Sequence, residues 1–221
     1  MSISENIKKI LTQEVPESVK LVAVSKTKPI EQILEVYTFG YKIFGENRAQ
    51  ELSEKYSKLP KDIEWHMIGH LQTNKVKYIS PFVYLIHGVD SFKLLQVIDK
   101  EGTKNNRIIN CLLQFHIATE ETKFGFDLSE AKQMLESNEF SNLQNINILG
   151  VMGMATFTEN TQLVRAEFKE LVYIFNQLKS KYFSTKSDFK EISMGMSGDY
   201  KIAIEEGATI VRIGSLIFGE R

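Results

Sequence analysis

The chain has 221 residues, 43% hydrophobic and 25% charged, with a formal net charge of -1. That length supports a sizeable core, and the near-zero charge argues against a nucleic-acid or anionic-membrane partner. The one cysteine, Cys111, excludes a disulfide framework within the chain and fits a reducing compartment.

The N-terminus carries an early Glu5 and no long apolar core, so it does not read as a signal peptide. Ile3, Ile7, Ile10 and Leu11 predict a leading amphipathic helix. Eight β-rich runs follow: Leu21–Lys26, Lys42–Glu46, Glu64–Gly69, Tyr84–Val89, Ile108–His116, Ile146–Met154, Glu191–Met196 and Thr209–Phe218. Amphipathic stretches lie between them, at Ile30–Phe39, Arg48–Lys58, Ser91–Lys100, Ser129–Glu136 and Thr161–Lys181. No run is long enough to span a bilayer, and the expected location is the cytoplasm. Unbroken βα alternation implies parallel strands with crossover helices. Eight units predict an α/β fold of one domain over 1–221, a (β/α)8 TIM barrel. The rival is an open doubly wound sheet, but no G-x-G-x-x-G turn follows the first strand.

In a barrel, chemistry collects at the C-terminal ends of the strands. That gathers Lys26, Glu46, Asn47, His70, Gln72, Asn74, Asp90, His116, Met154, Ser197 and Ser215. Lys26 closes an apolar strand, where an ammonium is costly to bury and a neutral amine can form imines with aldehydes. The ordinary alternative is a solvated lysine at a strand end. Ser197 and Gly198 form a small-residue turn, and Gly214-Ser215 is read within an apolar strand, where glycine permits close approach. The seventh and eighth βα loops are the usual phosphate site of barrels; a helix cap or a bulge would explain the same residues. Alternation puts Ile210, Arg212 and Gly214 on one face. A guanidinium buried there needs a carboxylate or a cofactor ring nitrogen. Together Lys26, the two loops and Arg212 suit pyridoxal 5'-phosphate.

At these residues the sequence resembles the pyridoxal phosphate homeostasis protein family. The matching stretches are LVAVSKTKP (21–29), FGENRAQE (44–51), WHMIGHLQTNK (65–75), GVDS (88–91), KFGF (123–126), SMGMSGDY (193–200) and VRIGSLIFGER (211–221). The resemblance implies a barrel like the N-terminal domain of alanine racemase, with pyridoxal phosphate as an imine (Schiff base) on Lys26. Carried over, Arg212 faces the pyridine nitrogen, Ser197, Gly214 and Ser215 hold the phosphate, and Asn47 lies near the ring. It further implies a role in vitamin B6 homeostasis and amino/keto acid balance without established turnover, with pyridoxal phosphate-dependent apoenzymes as recipients. A monomer is expected. Two positions depart from the family pattern: His116, where asparagine is expected, and Gly153, near which many relatives carry threonine. Both are expected at the barrel mouth.

The rival functions are a pyridoxal phosphate-dependent racemase or decarboxylase, a lysine-imine aldolase and a metal hydrolase. Racemisation needs a second acid/base, and the sequence runs out at Arg221, directly after the eighth strand. For a metal, the four histidines lack an H-E-x-x-H spacing or a Cys pair.

Overall fold

The structure, a computed structural model, describes residues 2–119 and 124–220. Lys123 and Arg221, each at the end of a quoted stretch, lie outside these. The strands are β1 (Lys20–Val24), β2 (Ile43–Glu46), β3 (Glu64–Met67), β4 (Leu85–Val89), β5 (Ile109–Gln114), β6 (Ile146–Met152), β7 (Glu191–Met196) and β8 (Ile210–Ile213). They pair in sequence order, all parallel, and β8 returns to β1 to close a barrel. The fold is a (β/α)8 barrel. Along the closing seam Val22 stands opposite Arg212 and Ala23 opposite Ile213.

The helices are α1 (Ile3–Lys9), α2 (Ile30–Thr38), α3 (Ala49–Lys58), α4 (Phe92–Asn105), α5 (Leu128–Leu135), α6 (Asn138–Ser141), α7 (Thr161–Tyr182), α8 (Tyr200–Glu205) and α9 (Ser215–Phe218). The leading helix continues as a π-helical turn over Ile10–Glu14, and the β3–β4 crossover is a short 3-10 helix over Thr73–Tyr78. Local chemistry sets the helix starts. The Ser91 hydroxyl accepts from Leu94 N–H at α4, and Asp127 and Glu130 form a reciprocal box at α5. Such a cap is worth about 1 kcal/mol.

Val22, Leu85, Leu112, Met152 and Ile210 fill the barrel interior. A larger shell, including Phe44, Leu52, Trp65 and Phe168, packs between strands and helices. Fully burying a side chain of this kind contributes roughly 1.5–3 kcal/mol. Because Val22 lines the interior, its register neighbour Arg212 does too.

The eighth strand is shorter than its apolar run predicts. It stops at Ile213, and Ser215–Phe218 is a helical turn in which the N–H groups of Ile217 and Phe218 bond to Gly214 O at 3.0 and 2.9 Å. Leu216-Ile-Phe218 reads alike as strand or buried helix. Tertiary context decides: Ile217 and Phe218 are buried, and Asn6 of α1 donates to Ile217 O at 3.1 Å. Gly214 therefore follows the strand and is not inside it. No helix among the described residues is long and apolar enough to cross a membrane.

Candidate functional site

The β1 end turns sharply. Lys28 N–H bonds to Ser25 O at 3.0 Å, and Lys26 is half-buried within that turn. Thr27 sits at φ 65°, a left-handed conformation that is strained for a β-branched residue. Its N–H donates to Glu51 Oε1 at 2.7 Å. The Ser25 hydroxyl donates to Glu46 Oε1 at 2.6 Å, and Ser25 O accepts from Lys55 Nζ at 2.9 Å. Lys55 also pairs with Glu46 at 2.8 Å and Glu51 at 2.7 Å. Glu46 is fully buried, and burial pushes its carboxyl up to about 7 against the pull of Lys55 and Ser25. Its Oε2 has no hydrogen-bond partner.

Neighbouring Lys28 is held elsewhere. Its Nζ donates to the carbonyls of Phe218, Gly219 and Glu220 at 3.1, 3.0 and 3.2 Å. That contact staples the end of α9 to the β1–α2 turn.

The β7 and β8 ends meet. The Gly214 N–H donates to Ser197 Oγ at 3.2 Å, and Ser215 is exposed beside it. A Cβ on Gly214 would lie 3.1 Å from Val24 O, so the β8 backbone runs close against β1. Gly198 opens onto free space, with nothing within 4 Å of a built Cβ. The Ser197 hydroxyl and the Gly214 N–H thus meet beside the end of β1.

Beneath them a polar chain crosses the barrel. Arg212, only 3% exposed, donates to Ser193 Oγ at 2.6 Å and to Gly153 O at 3.2 Å. Ser193 Oγ meets His87 Nδ1 at 2.8 Å, and His87 Nε2 meets His66 Nδ1 at 2.8 Å. Donor logic orients the protons. Arginine only donates, so Ser193 Oγ accepts from it; with the Ser193 O–H donating onward to His87 Nδ1, a consistent chain has His87 and His66 each carrying the proton on Nε2. Burial holds both imidazoles neutral, His66 at about 3 and His87 well below its usual value. The last donor, His66 Nε2, is buried without a partner. Burial also lowers Arg212 to about 10, opposed by Asp199, which leaves it cationic at neutral pH. The hydrogen bonds it makes here go to a hydroxyl and a carbonyl.

The other expected residues spread around the mouth. Asn47 is half-buried at the β2 end, its backbone against Gly69. Past β3 and β4, His70 Nδ1 meets Asp90 Oδ2 at 2.7 Å, and Phe124 stacks on His70 with centroids 4.3 Å apart. Gln72, Asn74 and His116 are exposed and Met154 is half-buried. The expectation for Gly153 is corrected. A Cβ there would point at Ile117 Cδ1 and Leu171 Cδ2, 2.8 and 3.0 Å away, so the position faces α7 and not the mouth. Among the described residues no group of three His, Cys, Asp or Glu side chains is placed to hold a metal ion. Sequence reasoning missed the Glu46–Lys55–Glu51 cluster and the Ser193–His87 link. The i,i+4 spacing of Glu51 and Lys55 was visible, but it reads as a surface pair.

A family model described as alanine racemase, N-terminal domain, matches residues 1–221. A pyridoxal phosphate homeostasis protein of Aquifex aeolicus is 44% identical over 91% of this chain and 87% of its own. That of Vibrio alginolyticus is 34% identical over 100% and 98%, and that of Homo sapiens 36% over 91% and 76%. Among solved structures, PipY of Synechococcus elongatus with pyridoxal phosphate bound matches at TM-score 0.88 and 32% identity, covering 99% of this chain and 100% of that one. Alanine racemase from Bartonella henselae matches at TM-score 0.70 and 14% identity, covering 99% and 60%, a likeness of fold alone.

Proposed function

The chain belongs to the pyridoxal phosphate homeostasis protein family, built on the alanine racemase N-terminal domain, and from that premise we propose that it binds pyridoxal 5'-phosphate and serves its homeostasis. The observation that carries the reading is the seam between β8 and β1. It brings the Lys26 turn, the Ser197–Gly214 contact and the buried Arg212 to one end of the barrel. These groups suit the cofactor. When bound, it supplies an aldehyde, a phosphate dianion and a pyridine nitrogen, which match an amine, a hydroxyl with backbone N–H donors, and a guanidinium. In this reading Lys26 holds the cofactor as an imine, Ser197, Gly214 and Ser215 hold the phosphate, Arg212 donates to the ring nitrogen and Asn47 borders the ring.

Ser197→Ala should weaken pyridoxal phosphate by about 1.5–3 kcal/mol, the cost of one charge-assisted hydrogen bond. Unphosphorylated pyridoxal should be nearly unaffected. Fluorescence titration of both ligands reads the difference, and equal losses refute the phosphate assignment. Gly214→Val is a poorer probe, because the added atoms press on Val24 of β1.

The role proposed is binding and delivery, to apoenzymes that use the cofactor, without turnover. Arg212 stays cationic at neutral pH and gives no proton to the ring nitrogen, which weakens the ring as an electron sink. One observation favours the racemase alternative: a hydrogen-bonded His70–Asp90 pair, of residue types that serve as acid/base groups, stands at the mouth. Deuterium exchange at Cα of L-amino acids in heavy water separates the two. We expect exchange no faster than with free cofactor. Exchange of roughly 1 per second that vanishes in Lys26→Ala and His70→Ala establishes the racemase-like reading.

A further inference from the structure

We propose that Lys55, clamped between Glu46 and Glu51, is a positioning residue that holds the strained turn of residues 25–28 and so aims Lys26. The inference rests on Lys26 being the cofactor lysine. Its basis is that the polar groups flanking Lys26 are tied to one cluster. Ser25 O is bound by Lys55, the Ser25 hydroxyl by Glu46 and the Thr27 N–H by Glu51. The clamp stands on firm ground, since β2 supplies Glu46 and one face of α3 supplies Glu51 and Lys55.

Two facts argue that the cluster serves geometry. Lys55 is 6% exposed and Glu46 0%, and buried ion clusters add little net stability compared with apolar packing. Thr27 meanwhile holds φ 65°, which a β-branched residue keeps only when its surroundings over-determine it. Freed from Glu51 and Lys55, the turn would relax toward a right-handed or extended conformation. The Cα–Cβ vector of Lys26 would swing with it.

The test uses two ligands. Pyridoxamine phosphate shares the ring and phosphate of pyridoxal phosphate but has no aldehyde, so it reports the pocket without the lysine linkage. In the full-length protein, Lys55→Met should weaken pyridoxal phosphate about 30-fold and Glu51→Ala about tenfold, while pyridoxamine phosphate changes less than about threefold. Glu51→Gln keeps an oxygen for the Thr27 N–H and should stay near wild type. Thr27→Gly in the Lys55→Met background should recover about fivefold, because glycine accepts a positive φ without strain. Should Lys55→Met fail to fold, Glu51→Ala carries the same comparison from a side chain that is 22% exposed. Equal losses for both ligands, no loss for pyridoxal phosphate, or no rescue by glycine would overturn the proposal. A wild-type protein without a borohydride-stable adduct on Lys26 sinks the cofactor-lysine reading itself. An adduct on Lys26 with unchanged affinity in the clamp variants sinks only the positioning role.

Discussion

Replacing Lys26 with alanine should abolish the borohydride-reducible adduct with pyridoxal phosphate and remove its visible absorption. The expected effect is close to complete, because four other lysines among the described residues, Lys20, Lys28, Lys55 and Lys201, are engaged elsewhere. Lys28 spends its ammonium on three carbonyls of residues 218–220. Lys55 is buried and makes three bonds of its own. Lys20 pairs with Glu191 at 2.5 Å at the far, N-terminal end of β1, and Lys201 lies outside the barrel near Glu14. Loss of the covalent link should also weaken the residual noncovalent complex at least about tenfold. Absorbance titration and mass spectrometry of the reduced peptides provide the check. A full-strength adduct in Lys26→Ala, mapped to any other lysine, would move the site.

Acid should destabilise the fold from pH 6.5 downward, at a rate set by the barrel interior. His66 and His87 titrate below 6.5 in the folded chain, so their contribution is present above that pH and is lost as pH falls beneath it. Glu46 has the opposite sign. Its folded value is raised from 4.5 to about 7, so its contribution is present at low pH and lost as pH rises. Between pH 4.5 and 6.5 two histidines oppose one carboxyl. The balance is one more proton on the unfolded chain, so stability falls as pH falls, by on the order of 1 kcal/mol per pH unit across that window. His66→Gln removes one titrating group and should flatten the slope to near zero. Urea unfolding at several pH values reads it, and parallel slopes for wild type and variant would show that the histidines do not govern acid stability.

Much of the barrel could be read from local pattern. Runs such as Leu21-Val-Ala-Val24 are apolar on both faces, as strands in a helix-wrapped sheet must be, and alternation alone predicted that Arg212 shares a face with Ile210. The limits were equally physical. Leu216-Ile-Phe218 has no periodicity that separates strand from helical turn, so the apolar run overstates the length of β8. Lys55 looks like a solvated i,i+4 partner of Glu51 until the third dimension places Glu46 above it. Ser193 and His87 are 106 residues apart, and nothing local announces that they touch. Gly153 sits at a strand end and was assigned to the mouth, but its missing side chain points the other way.

The Lys28 staple joins residues 190 positions apart. During synthesis on the ribosome β1 emerges first and must wait, as an unpaired edge, for β8. Edges of this kind recruit other chains, and such long-range closure is slow. Arg212 takes its place opposite Val22 only when that wait ends, so a nascent chain lacking β8 should take up no cofactor. Cofactor capture would then report that the last strand has docked, and ligand present at that moment would favour the closed ring over the open one by mass action.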